Sequence, residues 1–300
     1  MNFSLKQALK VFLIFACAIG VTSASIIITN KNNDNAKSKN DSLWNVVDGS
    51  DSDNGSDDDS TPTNGPNGEP LVSKTESQVG KYADIDGDGT VDGIIFADLL
   101  IGGSGKWDND YKSTYTIPTI SSSKDYYVSQ ESYTNALGGT AEVLTPTGSG
   151  AERFYIMSLN DVDSNYHKWY NAAYSSGISD WSSITSQDFG TGKSNTTTMV
   201  NKWNSKSYGE QNTGSYTDLW NEIQTQAGNG WFIPSREEWA AFGNGLNLTK
   251  DNYSSKGLKI YYWSSSLRYA SSAYYSSFLD GHIGFGSISG NDSVRLATTF

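Results

Sequence analysis

GNGWFIPSREEWAAFG, residues 228–243, is the most legible junction in the chain. Trp231 and Phe232 enter a strand. Pro234 cannot extend a hydrogen-bonded ladder, and Ser235 follows it as a helix N-cap. Glu238 lies three residues on, so hydroxyl and carboxylate can each satisfy an orphan N–H in a capping box. Trp239, Phe242 and Leu246 then recur at helical spacing and predict one inward face. A strand feeds directly into a helix here, and the elements on either side must accommodate that joint.

Downstream, YYWSSS (261–266) opens a tract, WSSSLRYASSAYYSSF (263–278), dominated by serine and aromatic residues. It has few aliphatic residues for a core strand and many rings for a linker. Tyr supplies rigid amphipathic area and Ser adaptable hydrogen bonding, the usual vocabulary of binding surfaces. The alternative is a turn-rich structural tail. Short strands are predicted over 80–84, 91–100, 126–129, 153–159, 261–265, 274–279, 282–285 and 294–298. Upstream, one helix is predicted to start near Asn195, with Met199, Val200 and Trp203 on one face. A second spans 216–227, with Leu219, Trp220 and Ile223 apolar and Gly228 as its stop. Helices followed by hairpins indicate an α+β fold of short antiparallel strands and about three helices.

GNGWFIPSREEWAAFG, YYWSSS and the terminal SVRLATTF (293–300) together resemble the bacterial C-type-lectin-like fold. Two branches share these landmarks: the formylglycine-generating (sulfatase-modifying) enzymes, and the variable ligand-binding proteins of diversity-generating retroelements. The match covers about 228–300, and 80–227 is compatible with it. The enzyme branch binds copper through a cysteine pair near the C-terminus. The only cysteine here is Cys17, so that activity is not expected. The calcium-dependent sugar-binding branch uses Glu-Pro-Asn or Gln-Pro-Asp with Trp-Asn-Asp, and none of these tripeptides is present.

In the retroelement-linked proteins the varied positions lie between the Trp-Ser-Ser strand and the closing Val-Arg-Leu strand. Carried onto 267–293, the resemblance implies an outward ligand-binding set of Leu267, Arg268, Tyr269, Ser272, Tyr274, His282, Phe285, Ser287, Asn291 and Asp292. The competing reading is ordinary loop surface, with Tyr274 or Phe285 partly in the core. Trp263 is expected to support the Tyr/Ser segment from below. Arg295 is expected either as a buried partner of a core carboxylate or as an edge residue. The partner implied is a protein or glycan.

DIDGDGTVD, residues 84–92, carries the sharpest metal signal. Asp84, Asp86, Asp88 and Asp92 fall at positions 1, 3, 5 and 9 of a calcium loop, Gly89 permits the turn, and Thr90 offers its carbonyl. Ile95 replaces the bidentate Glu of an EF-hand, and the flanks are strand-like. The spacing is similar to the calcium hairpin loops of integrin-type β-propellers. A structural Ca²⁺ pinning a hairpin is the expectation, with a merely solvated glycine-rich turn as the alternative. GTGKS (190–194) has Gln187 where a phosphate loop needs Gly, so it reads as a helix entry. Neither a Gly-x-Ser-x-Gly elbow nor a His-Glu-x-x-His helix occurs, and no acid–base pair assembles, so an enzyme is not expected.

The 300 residues carry a formal charge of −12. That sign opposes phosphate backbones and anionic membrane surfaces, which argues against nucleic acid as a partner. Aromatics make up 13% against 36% apolar residues overall, so the core must be built from large rings. With no thiol after Cys17, disulfides and thiolate metal sites are excluded downstream. Lys6 and Lys10 precede the uncharged run 11–28, which predicts a signal anchor or signal peptide over 1–29. Ile26–Ile28 continue the run past Ser-Ala-Ser and favour a retained anchor; a lipoprotein reading would use Cys17. Residues 30–79 predict a disordered stalk, since the acidic segment 48–70 within them has almost no apolar side chains. Residues 80–300 then form one domain. The expected protein is an exported cell-surface binding module, touching the membrane only through its N-terminal segment. The alternative is a structural or fibre-tip component that self-associates.

Overall fold

The computed structural model describes residues 64–171, 178–209 and 217–300. The expected anchor over 1–29 and the stalk as far as residue 63 lie outside the described residues. No helix among the described residues is long and apolar enough to cross a membrane.

The architecture is mixed α+β. Strands β1 (Tyr82–Ala83), β2 (Gly93–Asp98), β5 (Asp125–Asn135), β6 (Gly139–Thr147), β7 (Phe154–Ser158) and β13 (Ala297–Thr299) form a six-stranded sheet in the order β13-β7-β2-β1-β6-β5. Its ladders are antiparallel except for β1–β6. Every residue of β2 (GIIFAD) is buried, because both faces of the sheet are covered. Side chains alternate between those faces. Ile94, Phe96, Tyr155 and Met157 join a core with Trp239 and Phe242. Ile95, Phe154 and Ile156 join Tyr126 and Phe300 on the other side.

A three-stranded sheet, order β11-β10-β9, is built from β9 (Tyr261–Tyr269), β10 (Ser272–Ser277) and β11 (His282–Ser287). Two-stranded ladders join β3 (Gly103–Lys106) to β4 (Thr114–Ile117) and β8 (His167–Lys168) to β12 (Asn291–Asp292). Among the described residues there are five α-helices: α1 (Trp181–Ile184), α2 (Gly192–Asn204), α3 (Leu219–Glu222), α4 (Gln224–Gly228) and α5 (Arg236–Gly245). The helix expected over 216–227 is broken at Ile223 into α3 and α4, and residue 216 lies outside the described residues.

In the 228–243 joint the helix and its cap form as read, whereas the expected strand at Trp231 and Phe232 is reduced to a single bridge between Phe232 and Ala297. The Ser235 hydroxyl accepts from Glu238 N, and the Glu238 carboxylate accepts from Ser235 N at 2.7 Å. Glu238 does more than its motif requires. Its Oε1 also accepts from Gly190 N at 3.0 Å and Gly192 N at 3.3 Å. The GTGKS segment is thus a helix entry whose amides are taken by a protein carboxylate.

Among the described residues four indoles are fully buried: Trp169, Trp220, Trp239 and Trp263. Three of them donate to backbone carbonyls, Trp169 to Ser264, Trp239 to Trp263 and Trp263 to His167, at 2.6, 3.1 and 2.7 Å. Arg295 is buried, and its Nε donates to Asp161 Oδ1 at 2.8 Å, the core-carboxylate alternative of the sequence reading.

One boundary needs correction. Residues 64–79, assigned to the stalk, belong to the folded domain. Leu71 bridges Tyr127, Val72 is buried against the second face of the sheet, and the Ser73 and Glu76 carbonyls accept from the Arg153 guanidinium at 2.9 and 3.0 Å. The segment holds the domain through backbone carbonyls as well as through Val72.

Candidate ligand-binding surface

The Tyr/Ser tract becomes β9 and β10. Their alternation decides which of its side chains can reach a ligand. On β10 and β11 the pairs Ser272↔Ser287, Tyr274↔Phe285 and Ser276↔Ile283 share one face. The other face carries Tyr275, whose ring lies across Gly284 and Gly286.

Two expected ligand residues are core. Leu267, 3% exposed, packs with Trp263, Ala273 and Ile288. Tyr274, 5% exposed, lies in the Trp239 core. They lie on opposite faces of the sheet, Tyr274 on the face shared with Ser272 and Phe285 and Leu267 on the face shared with Ala273, and each face packs on a core there. Burial pushes the Tyr274 hydroxyl up; Arg268 and Arg236 draw it back, and the phenols of Tyr111 and Tyr269 add to the rise. The serines are also less available than the tract suggested. Ser264, Ser265, Ser266, Ser276 and Ser277 are buried. Ser264 donates to Tyr274 O at 2.9 Å, and Ser266 to Ser186 O at 2.8 Å. These hydroxyls fasten strands together.

The outward remainder is a ring ridge. Tyr269 is 49% exposed and Phe285 41%. The Arg268 guanidinium lies 3.5 Å from the Phe285 centroid and 5.0 Å from that of Tyr269. Such stacking neutralises neither the charge nor the donors of arginine, and holds its plane in place. Ser272, partly exposed, and Ser287, exposed, pair across β10 and β11 at the same end. Tyr111, 67% exposed, joins the ridge from a 3₁₀ turn, Tyr111–Ser113, that packs on β11 and donates no sequence signal beyond an aromatic in a polar loop. Trp181 meets Tyr269 edge-on at 5.7 Å. Neither Tyr111 nor Trp181 belonged to the expected set.

Three further expected residues stand apart from the ridge. His282 pairs with Ser277 on the opposite face and lies 3.9 Å from Asp108. Asn291 is exposed and Asp292 half-buried, in the β8–β12 ladder. Burial pushes the Asp292 carboxyl up to about 7.

The acidic loop closes the β1–β2 hairpin, where Asp92 N donates to Ala83 O at 2.9 Å. Gly87 and Gly89 take φ of 73° and 88°, which a side chain would oppose. Asp84 is buried and accepts from Gly87 N and Gly89 N at 2.9 and 3.0 Å. Asp86 accepts from Asp88 N at 3.3 Å and Asp88 from Thr90 N at 2.7 Å. One carboxylate oxygen from each of Asp84, Asp86 and Asp88 lies within 4.8 Å of the others. That span is about twice a Ca–O bond of ~2.4 Å, so one ion can touch all three. Asp92 stands outside this triad, with Oδ2 taking Ile85 N at 2.8 Å. Burial, then the charges of Asp86, Asp84 and Asp88, push its carboxyl up.

Compared with protein-family descriptions, curated proteins and solved structures, the chain finds no match.

Proposed function

We propose that the chain is an exported surface module of the C-type-lectin-like kind that binds a protein or glycan through the ridge of Arg268, Tyr269, Phe285 and Tyr111. The Arg268 guanidinium held over the exposed Phe285 ring carries this reading. Binding hot spots are enriched in aromatic and arginine side chains, and here they are already ordered before a partner arrives. The joint at 228–243, the indole core and the closing strand against β7 support the fold assignment. Anchoring falls to the apolar N-terminal run. The role is recognition, not catalysis. In the test, a glycan array and a pull-down from surface proteins are run with the chain and with Arg268→Ala and Phe285→Ala. Each change is expected to weaken a specific partner by at least ~10-fold, as loss of an interface anchor of more than ~1.4 kcal/mol does. Unchanged capture rejects the ridge. Self-association without a partner supports the fibre-tip alternative.

The same reading gives the Asp84–Asp86–Asp88 triad a structural Ca²⁺. Calcium is expected to raise the melting temperature by several degrees and a chelator to reverse it. Asp86→Asn, at an exposed position of the turn, is expected to abolish that response with the apo stability little changed. A chain indifferent to calcium rules the ion out.

A further inference from the structure

The ring ridge carries a charge that nothing in the protein answers. Arg153, Arg236 and Arg295 are buried, and each has a carboxylate: Asp98 at 2.8 Å, Glu237 at 2.7 Å and Asp161 at 2.8 Å. Arg268 is the exception. It is partly exposed, and among the described residues no carboxylate lies within ion-pair distance of it. Its guanidinium is held by the rings of Phe285 and Tyr269 instead, which leaves its charge unneutralised.

The groups around that charge are donors. Tyr274 pairs with Phe285 across β10 and β11, and the two rings meet edge-on at 6.5 Å. The Tyr274 ring is 5% exposed, yet its hydroxyl makes no hydrogen bond within the protein. A buried phenol usually finds a partner. After burial, the groups that act on this hydroxyl are Arg268, Arg236, Tyr111 and Tyr269, so it sits at the base of the ridge. The Tyr111 hydroxyl also bonds nothing in the protein. Desolvation works against the Arg268 charge; a bond to the Tyr269 hydroxyl and the phenols of Tyr111 and Tyr274 outweigh it. Arg236 adds no net charge, because Glu237 answers it. The cluster is one cation among phenol donors, with no anion of its own.

A single local cation in a chain of net charge −12 suits one anionic group and not a polyanion, which the field of the whole molecule repels. A carboxylate matches the planar fork of arginine with two parallel bonds. Two sources could bring it, a sugar acid or an acidic side chain. The exposed Phe285 ring decides between them. It has no polar atom to meet sugar hydroxyls, whereas the apolar neighbours of an Asp or Glu can cover it. We propose that the ridge selects a polypeptide segment bearing one acidic side chain, whose carboxylate pairs with Arg268 and accepts from the Tyr111 and Tyr274 hydroxyls. This specificity rests on the ridge being the binding face and adds to that reading the chemistry of its partner.

The test pans a phage library of random peptides against the full chain. Enriched peptides are expected to share an Asp or Glu beside apolar residues. Each is then synthesised with its acid and with Asn or Gln in its place. The amide twin is expected to bind at least ~10-fold more weakly, as loss of a hydrogen-bonded charge pair does. Arg268→Gln is expected to weaken the acidic peptide by a similar factor and to erase its advantage over the twin. Tyr274→Phe keeps the ring and is expected to weaken it ~5-fold, with the melting temperature unchanged because the hydroxyl bonds nothing in the protein. Oligosaccharides of sialic and glucuronic acid are run alongside. Peptides that need Phe285 but bind as well as their amide twins overturn this specificity and leave the ridge standing. Sugar acids that bind through Arg268 where no peptide does overturn the polypeptide and likewise leave the ridge. Capture that survives both Arg268→Gln and Phe285→Ala overturns the ridge itself.

Discussion

Glu238 shows how far a motif read from sequence extends. The capping box with Ser235 was legible because its parts lie three residues apart. Its second duty, accepting the amides of Gly190 and Gly192, was not, since those donors lie more than forty residues upstream. Complete burial pushes its carboxyl up to about 7, against the pull of the Ser235, Gly192 and Gly190 amides. Half-buried Asp292 is raised to about 7 by burial alone. Both groups therefore keep their protons in the folded chain where the unfolded chain, with carboxyl pKa values near 4, has lost them. Folded protein then binds more protons than unfolded, and stability falls as pH rises from about 4 to about 7, levelling above that. Asp163 and Asp180, held low by hydrogen bonds from His167 and Lys202 despite burial, act below this window and in the opposite sense. Asp292→Asn is expected to reduce the decline and to raise the melting temperature at pH 8 by about 2–4 °C, the equivalent of ~1 kcal/mol in a domain of this size. Melting curves between pH 4 and 8 check it; an unaltered slope would show that Asp292 titrates normally.

Among the elements, β2, β7, β9, β10 and β11 were legible because each presents rings or branched side chains on a buried face. Strands β3, β4, β6, β8 and β12 were not. Pro146 interrupts the β6 pattern, and β3 (GSGK) has neither branched nor apolar side chains. The candidate site was legible as a region but not by residue. Two bulges between β9 and β10 shift the pairing, and the phase of alternation past them cannot be counted from sequence. Both faces of this sheet pack on cores, Tyr274 on one and Leu267 on the other, so alternation alone marks neither as outward. The opposite face of the sheet shows the same coupling. Tyr275 covers β11 only because two of its residues are glycines. A Cβ at Gly284 would stand 2.6 Å from the Tyr275 ring, whereas at Gly286 the nearest ring carbon is 3.2 Å away. Gly284→Ala must lift that ring off Tyr261 and Trp263, which it meets edge-on at 5.4 and 6.2 Å. It is expected to cost about 1–3 kcal/mol in urea denaturation, and Gly286→Ala less. Equal costs would show that Tyr275 does not lie across the strand.

At the scale of the whole domain, composition marks its start too late. Residues 64–79 carry little apolar area, yet they complete a buried ion pair. Arg153 Nε and Nη2 donate to the two Asp98 oxygens, each at 2.8 Å, and both side chains are almost fully shielded. A buried pair of this kind is tolerated when its remaining donors are also satisfied. Those donors go to the carbonyls of Ser73 and Glu76, and Gln78 N adds a bond to Asp98 Oδ2 at 3.2 Å. Beneath them Arg153 stacks on Phe154, and the Phe300 carbonyl accepts from Tyr126 Oη at 2.6 Å, so the start and the end of the folded unit share one cluster. A chain cut at residue 80 would strand the guanidinium without two acceptors and uncover the Val72 side of the sheet. Each lost bond to a charged group is worth ~1.5–3 kcal/mol, against a total stability of ~5–15 kcal/mol. The fragment 80–300 is therefore expected to melt roughly 10 °C or more below the fragment 61–300, or to precipitate. The longer fragment should match the full chain. Equal melting of the two fragments would mean that 64–79 contribute nothing, and that the Arg153–Asp98 pair is satisfied by water instead.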